Sequence, residues 1–196
     1  MKRILFLTSA LFASALASAA DADKTSGVYL GIGAGTTDYS LACTSGPCDS
    51  NKHRFSGKAY LGYTLSNVDL SGAHLSDALE VMAYSAGAAD GAYAKFGGGG
   101  DKVRFRGLGL VNALSYSVDA FTVTGRLGIA TTRTSLDYGA GGFQNADKTG
   151  VMGGIGLAYA LNKRWTIKAD LDQVPVSNLA GKKSLRLMTV GAAYAF

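Results

Sequence analysis

Apolar residues alternate with polar or small residues along most of this 196-residue chain. A period of two places every second side chain on the same face of an extended strand. Long helices show a different period, so the pattern favours an all-β fold. Eight segments carry it, at 27–36, 54–65, 77–86, 103–117, 120–132, 150–161, 164–174 and 185–196.

The connections between these segments differ in length. The long ones are polar and rich in glycine, at 37–53, 87–102, 133–149 and 175–184. The links at 118–119 and 162–163 are tight, and the link at 66–76 is of intermediate length. Long loops at one end and mostly short turns at the other are typical of an antiparallel up-and-down barrel. We therefore predict an eight-stranded barrel.

The two faces of the predicted strands have opposite characters. One face carries large apolar side chains such as Leu30, Ile32 and Leu127. Asn112 is a polar exception on this face, and we expect a nearby bulge to move it off the face. The other face carries charges and glycines. Its members are Gly31, Gly33, Lys58, Glu80, Arg126, Gly128, Gly154, Gly156, Lys168, Asp170 and Gly191.

Either face could point outward, and the two orientations correspond to a soluble barrel and to a transmembrane barrel. A soluble lipocalin-like barrel would enclose the apolar face. The interior of an eight-stranded barrel is just wide enough for side chains, and glycines with a few long polar residues fit it better than a bulky apolar face does. A Lys or Arg that faces lipid costs about 2–4 kcal/mol at the bilayer midplane. We therefore predict a transmembrane barrel with Lys58, Arg126 and Lys168 inside. The partners expected for them are Glu80 and Asp170, with Asp172 as a further candidate.

Aromatic residues support the same orientation. Seven of them fall on the apolar face, beside a short link or in the final strand: Tyr63, Tyr116, Phe121, Tyr159, Trp165, Tyr194 and Phe196. Membrane barrels carry such girdles at the two membrane interfaces. We expect this set to form the periplasmic girdle, which places both chain termini in the periplasm.

The first twenty residues are predicted to be a signal peptide. Lys2 and Arg3 precede an apolar run that closes on small residues, with cleavage after Ala19 or Ala20. The predicted domains are thus 1–20, the signal peptide, and 21–196, the barrel. The net charge of +5 falls by two on cleavage, to +3, and so mild a charge does not indicate nucleic-acid binding.

The two cysteines are predicted to form a local disulfide. Cys43 and Cys48 lie in CTSGPC, within a long polar connection. In an oxidising compartment such a pair most simply closes a loop tip. His53 and His74 do not supply the ligand spacing of a metal site, and we predict neither metal nor cofactor.

The chain resembles the OmpA-like transmembrane domain family and its small eight-stranded outer-membrane relatives. The resemblance covers essentially the whole mature chain. It is carried by VYLGIGAG at 28–35, KAYLGYTL at 58–65, LEVMAYSAG at 79–87, VTGRLGIA at 123–130, GGIGLAYALNKRWTIKADL at 153–171 and VGAAYAF at 190–196.

The resemblance implies three expectations. In that family, interior acids and bases form a network that blocks or narrows the lumen. The residues that would form it here, or would simply solvate the lumen, are Lys58, Glu80, Arg126, Lys168 and Asp170. A terminal aromatic residue is read by the outer-membrane assembly machinery, which gives that role to Tyr194 and Phe196. The protein is expected in the outer membrane of a Gram-negative cell, as a monomer.

Candidate chemistry elsewhere in the chain is sparse. The glycine-rich stretches GIGAG and GGGG do not lead into a helical pattern, as a phosphate-binding loop requires. His74, Leu75 and Ser76 superficially resemble the His-x-Ser of lipid A deacylases, but lack the following Asn and fall in a periplasmic link. Four basic residues near the outer rim could contact lipopolysaccharide phosphates or simply be solvated: Arg104, Arg106, Lys182 and Lys183.

Three functions follow from these features. The favoured one is a structural or surface-interaction role, in which the loops can also meet an extracellular ligand. The first alternative is a narrow, low-conductance channel for small solutes, since lumenal charges do not exclude a gated pore. A lipid A-modifying enzyme comes third, because the sequence offers no convergent catalytic group.

Overall fold

The chain folds into one closed barrel of eight antiparallel strands, as its alternation predicts. The computed structural model describes residues 27–38, 53–90, 102–137, 143–177 and 184–196. The strands are β1 (Val28–Asp38), β2 (His53–Leu70), β3 (Ala73–Asp90), β4 (Lys102–Val118), β5 (Phe121–Asp137), β6 (Phe143–Ala160), β7 (Trp165–Pro175) and β8 (Ser184–Ala195). Each strand pairs with its neighbours in sequence, and β8 closes onto β1. Over the described ranges, no helix has the length and apolar character needed to cross a bilayer.

Most strands are longer than their alternation indicates. The largest difference is between β5 and β6, where the expected connection at 133–149 is wrong, because β5 continues to Asp137 and β6 begins at Phe143. The next largest difference is between β2 and β3. The expected link at 66–76 is wrong, because β2 continues to Leu70 and β3 begins at Ala73. A β-bulge between Thr64 and Ser66 shifts the register there and interrupts the alternation that marks a strand. The hairpin then turns at Gly72, whose φ of +85° lies in the left-handed region that glycine favours.

The tight turns define one end of the barrel, called the turn end below, and the opposite end is called the loop end. Asp119 and Ala120 connect β4 to β5, close to the predicted position. Residues 161–164 connect β6 to β7, where the side-chain oxygen of Asn162 accepts hydrogen bonds from the N–H groups of Arg164 and Trp165, both at 2.9 Å. This local cap explains why Asn162 marks the turn.

The register of the strands sets the dimensions of the barrel. Following paired residues from Val28 through each strand in turn leads back to β1 at Asp38, ten positions further along. Eight strands with a shear of ten give a tilt of about 40° and a radius of about 8 Å. Each residue therefore rises about 2.5 Å along the barrel axis.

The outer wall is apolar over much of its height. Ile32, Leu127 and Val151 are 64%, 66% and 72% exposed, and their inward neighbours are partly or fully buried. With the rise and shear above, the outward apolar residues span about 25 Å, which matches the apolar band of a membrane barrel. The charged face points inward, as predicted.

The predicted aromatic girdle is a ring at the turn end. The register places its seven members within about 3 Å of one plane. Adjacent members pack edge to face: Phe121 with Tyr159, Trp165 with Tyr194, and Tyr194 with Phe196, with ring centroids 5.0 to 5.1 Å apart. The ring lies at the lower border of the apolar band, where amphipathic aromatic side chains are favoured.

Candidate functional site in the lumen

A layer of paired charges crosses the middle of the lumen. The five predicted network residues come together there, with Asp172 as a sixth member. The set, called the charged layer below, is Lys58, Glu80, Arg126, Lys168, Asp170 and Asp172, none of them more than 9% exposed. Among the described residues, the layer holds three cations and three carboxylates, so its formal charges balance.

Arg126 is the centre of the charged layer. Its Nε donates to Glu80 Oε2 at 2.8 Å, and its Nη1 donates to Asp170 Oδ1 at 2.8 Å. Lys58 Nζ lies 2.9 Å from Asp170 Oδ2 and 2.5 Å from Asp172 Oδ2. Asp170 therefore joins the two cations, and four strands (β2, β3, β5 and β7) are linked across the lumen.

Lys168 is held differently from the other two cations. Its nearest carboxylate oxygen, Glu80 Oε1, is 4.0 Å from Nζ, beyond hydrogen-bonding distance. That Oε1 instead accepts a hydrogen bond from the Tyr29 hydroxyl at 2.7 Å. Lys168 Nζ lies 4.8 Å from the centroid of the Tyr60 ring, a cation–π contact.

Inward glycines make room for these large side chains. A Cβ on Gly31 would lie 2.1 Å from the Tyr60 ring, and one on Gly62 would lie 2.1 Å from the Tyr29 ring. On β6, a Cβ on Gly156 would lie 2.3 Å from Asp170 Oδ1. Glycines and charges share the inward face because the neighbouring strand's long side chain occupies the space that a side chain would need.

Above the charged layer, towards the loop end, mainly apolar side chains fill the lumen, beside buried hydroxyls such as those of Thr132 and Thr134. The apolar side chains come from β3 to β8 and, for Val176, from just after β7, and this group is called the apolar tier below: Met82, Tyr84, Ala86, Val103, Phe105, Val111, Ala130, Met152, Val174, Val176, Leu185 and Leu187. The Tyr84 hydroxyl lies 2.6 Å from Thr132 Oγ1, which in turn donates to the carbonyl of Pro175. The polar filling expected from the sequence is therefore restricted to the turn-end half.

The apolar tier could have been found from a reversal in the sequence pattern. In VRFR at 103–106, the inward residues are apolar and the outward ones, Arg104 and Arg106, are charged. The same reversal occurs in LRL at 185–187, around the outward Arg186. These arginines lie at or above the loop-end border of the apolar band, where the preference for outward apolar residues ends.

Below the charged layer, the lumen widens into a cavity of about 250 Å³. This turn-end cavity is lined mainly by hydroxyls and small residues: Tyr29, Thr64, Ser76, Ala78, Ser115, Ser117, Thr122, Thr124, Ala158, Thr166, Lys168, Ala193 and Ala195. Lys168 contributes the only charge among these described lining residues. The register places the Cα of Lys168 about 5 Å above that of Thr166 on the same strand, at the top of the cavity.

The outer wall carries arginines at the loop-end border of the apolar band. Arg104, Arg106, Arg133 and Arg186 point outward and are exposed, about 20–30 Å above the aromatic ring. Arg106 and Arg133 are direct register partners. Arg133 donates two hydrogen bonds to Asp147, at 2.8 and 2.9 Å, and these lower the pKa of the Asp147 carboxyl.

Asn112 remains on the outer wall, so the expected bulge beside it is wrong. The register of β4 with β5 is regular throughout, and Asn112 pairs directly with Leu127. Its side-chain nitrogen instead donates to Asp77 Oδ1 at 2.5 Å. The two polar groups satisfy each other near the turn end of the apolar band.

The structure places the remaining predicted residues as follows. His74 is exposed on the β2–β3 hairpin, and its Nδ1 lies 2.5 Å from Asp69 Oδ1, while Ser76 lines the turn-end cavity. His53 is the first residue of β2. Cys43, Cys48, Lys182, Lys183 and the predicted signal peptide lie outside the described residues, so the disulfide and the cleavage site stay predictions.

Solved structures share this barrel at low sequence identity. The Ail protein of Yersinia pestis, in complex with the heparin analogue sucrose octasulfate, matches with a TM-score of 0.54 and 13% identity over 86% of this chain and 97% of Ail. Neisserial surface protein A gives 0.55 and 15%, over 87% and 98% of the two chains. The N-terminal barrel domain of Pseudomonas aeruginosa OprF gives 0.57 and 12%, over 87% and 98%. These similarities show the fold.

No curated protein matches the chain in sequence. A family model does match it, over residues 6–196, which is nearly its whole length. The model describes the outer membrane protein beta-barrel domain. This assignment agrees with the resemblance read from the strand motifs and with the closed eight-stranded barrel, and it places the protein in the Gram-negative outer membrane. The chain belongs to the outer membrane protein beta-barrel domain family.

Proposed function

We propose that the protein is a structural or surface-interaction barrel whose lumen does not conduct solutes. The observation that supports this proposal is that two successive layers of side chains fill the lumen, the charged layer and the apolar tier above it. An ion that crossed would have to break the pairing of Arg126 with Glu80 and Asp170. It would then meet Phe105, Leu185 and Leu187, each at most 1% exposed, where no water replaces its hydration shell.

Planar-bilayer recording tests this proposal against the narrow-channel alternative. We expect the wild-type barrel to show no steady conductance. Arg133→Ala, on the outer wall, serves as the matched control for Arg126→Ala. Steady wild-type conductance that changes in Glu80→Ala and Arg126→Ala, but not in Arg133→Ala, would establish the channel and overturn the sealed barrel.

We further propose that the arginines at the loop-end border bind phosphates of lipopolysaccharide. Like charges directly opposite each other on neighbouring strands are destabilising, and Arg106 faces Arg133 in this way. Asp147 neutralises Arg133 only, which leaves Arg104 and Arg106 available to a phosphate in the outer leaflet. Arginine forks match phosphate geometry well.

The lipopolysaccharide contact is testable by affinity. We expect the double variant Arg104→Gln, Arg106→Gln to bind lipopolysaccharide in detergent at least about tenfold more weakly, from the loss of charge-assisted hydrogen bonds. Arg164→Gln at the turn end is the matched control, because this arginine is also exposed, at the opposite interface. Equal affinities for all three proteins would contradict the proposal.

We propose that Tyr194 and Phe196 act as the signal for outer-membrane assembly. Both rings belong to the aromatic ring at the turn end, where they stack edge to face. Deletion of Phe196 is expected to reduce insertion in cells, measured by the heat-modifiable gel mobility of folded barrels. The control is Tyr159→Leu, which removes an aromatic from the same ring in β6. Unchanged insertion after the deletion would contradict this role.

We propose no catalytic role. His74, the one histidine considered for lipid A hydrolysis, is exposed at the turn end and pairs with Asp69. This position is remote from the outer leaflet. Mass spectrometry of lipid A from cells that overexpress the protein is expected to show no change. A modification abolished by His74→Ala would establish the enzyme instead.

A further inference from the structure

We propose that the turn-end cavity binds a small soluble oxyanion, a phosphate or a carboxylate, from the periplasm, with Lys168 as its counter-ion. Nothing in the sealed-barrel function requires such a site. It is inferred from two independent features of the lumen: a cation that has no hydrogen-bonded partner among the described residues, and a hydroxyl-lined cavity that leads to it.

The first feature is the incomplete pairing of Lys168. Lys58 and Arg126 each have a carboxylate within hydrogen-bonding distance, whereas the nearest carboxylate oxygen to Lys168 Nζ is 4.0 Å away. That oxygen already accepts from Tyr29. Lys168 is nine-tenths buried, so bulk water does not surround its ammonium group. A buried cation with unused N–H donors favours an anionic acceptor.

The second feature is the composition of the cavity. Seven Ser and Thr hydroxyls line it, from Thr64, Ser76, Ser115, Ser117, Thr122, Thr124 and Thr166. Two pairs, Ser115 with Thr124 and Ser117 with Thr122, lie within 2.9 Å of each other and hold their hydroxyls in place. Hydroxyls can donate to oxyanion oxygens, and no carboxylate is among the described lining residues to repel an anion.

The shape of the lumen determines the source of the ligand. The charged layer closes the cavity above Lys168, so access is from the turn end, which faces the periplasm. The strands separate the cavity from the bilayer, which excludes a phospholipid headgroup unless its lipid leaves the membrane. A volume of about 250 Å³ accommodates several water molecules, enough for an oxyanion with part of its hydration shell.

Nuclear magnetic resonance of the barrel in phosphate-free detergent micelles tests the proposal with inorganic phosphate and acetate as probes. We expect saturable shifts of the Thr124 and Thr166 amide signals in the wild type. Lys168→Met should weaken binding by at least about tenfold, since it removes the charge and its hydrogen bonds. Lys163→Met, an exposed lysine in the β6–β7 turn, is the matched control and should bind like the wild type.

Each alternative result overturns the proposal. Absence of saturable shifts in the wild type would show that the cavity holds only water, and equal shifts in Lys168→Met would show general screening. A second titration uses the short-chain lipid dihexanoylphosphatidylglycerol as the probe. Shifts that appear only with this lipid would identify a lipid headgroup, and not a soluble oxyanion, as the ligand. If Lys168→Met does not fold, as judged by gel mobility, Thr166→Val with Ser115→Ala keeps the charge and removes two hydroxyls. This double variant should still bind several-fold more weakly.

Discussion

The two halves of the lumen are filled in opposite ways. In the turn-end half, Arg126 and its partners hold β2, β3, β5 and β7 together through charge-assisted hydrogen bonds. In the loop-end half, Phe105, Leu187 and their neighbours pack without charge. Both halves have the same strands and the same radius. The outer wall changes at the loop-end border of the apolar band. Hydrocarbon therefore surrounds the charged layer and the lower part of the apolar tier, such as Met152 beside the outward Val151, whereas headgroups and water surround the upper part around Val103 and Phe105.

The comparison explains why the charges lie where they do. Where the outer wall must be apolar, inward positions are the only ones left for polar side chains, and burying them is costly unless most of them are paired. Where the outer wall meets polar surroundings, the lumen can be packed like a soluble core. The same strands therefore carry apolar residues outside and polar residues inside where they cross the membrane. At the loop end they carry polar residues outside and apolar residues inside, as in a soluble protein.

The largest effect should come from breaking the charged layer. Arg126→Met leaves Glu80 and Asp170 buried without their main counter-ion, and the expected loss of unfolding free energy is about 3–5 kcal/mol. Urea unfolding in vesicles, followed by the fluorescence of Trp165, the only tryptophan, measures it. Arg133→Met removes an exposed pair and should leave the midpoint unchanged. Equal midpoints for both variants would show that the layer does not stabilise the barrel.

A smaller loss is expected from the apolar tier. Leu187→Ala opens a cavity in the apolar tier and should cost roughly 3 kcal/mol by the same assay. Met188→Ala, one residue along and 58% exposed, is its outward control and should cost less. The loss in Leu187→Ala should not depend on salt. A salt dependence as strong as that of Arg126→Met would mean that the two halves are coupled rather than separate.

Much of the fold was predictable because lipid imposes a strict rule on the outer wall. A Lys or Arg cannot remain on the lipid side, so the positions of Lys58, Arg126 and Lys168 in the alternation fix the inward face. The aromatic residues mark the interface for a similar reason. Each of these inferences depends on the chemistry of one residue and its parity in one strand.

The remaining features depend on contacts between strands, which one strand's pattern does not contain. The choice of Glu80 as the partner of Arg126, and the weak pairing of Lys168, follow from the shear of the barrel. The bulge after Thr64 hid the end of the β2–β3 hairpin, because it changes the parity on which strand recognition depends. The apolar tier was not predicted because the alternation reverses at Arg104 and Arg106, where the outward residues are charged and the inward residues are apolar.

A test of the space around the charged layer should give an intermediate effect. Gly156→Ala places a Cβ 2.3 Å from Asp170 Oδ1 and should displace that carboxylate from Arg126, at a cost of about 2 kcal/mol. Gly125→Ala is a close control, since it lies nearby on the outward face and its Cβ would meet nothing within 4 Å. If both variants keep wild-type stability, Asp170 can move freely and the layer is not tightly packed.

Two tyrosines allow the halves to be compared by removal of one hydroxyl from each. Tyr29 donates to the charged Glu80, and Tyr84 hydrogen-bonds the neutral Thr132; each ring covers an inward glycine, Gly62 and Gly107 respectively. Because hydrogen bonds to charged groups contribute more, Tyr29→Phe should cost about 1.5 kcal/mol and Tyr84→Phe about 0.5–1 kcal/mol. Both rings remain in place, so packing is nearly unchanged and urea midpoints report the hydroxyl alone.

The double variant should show the sum of the two losses, since the hydroxyls share no partner. Equal single losses, or a double variant far from that sum, would contradict the division of the lumen into a charged half and an independently packed apolar half.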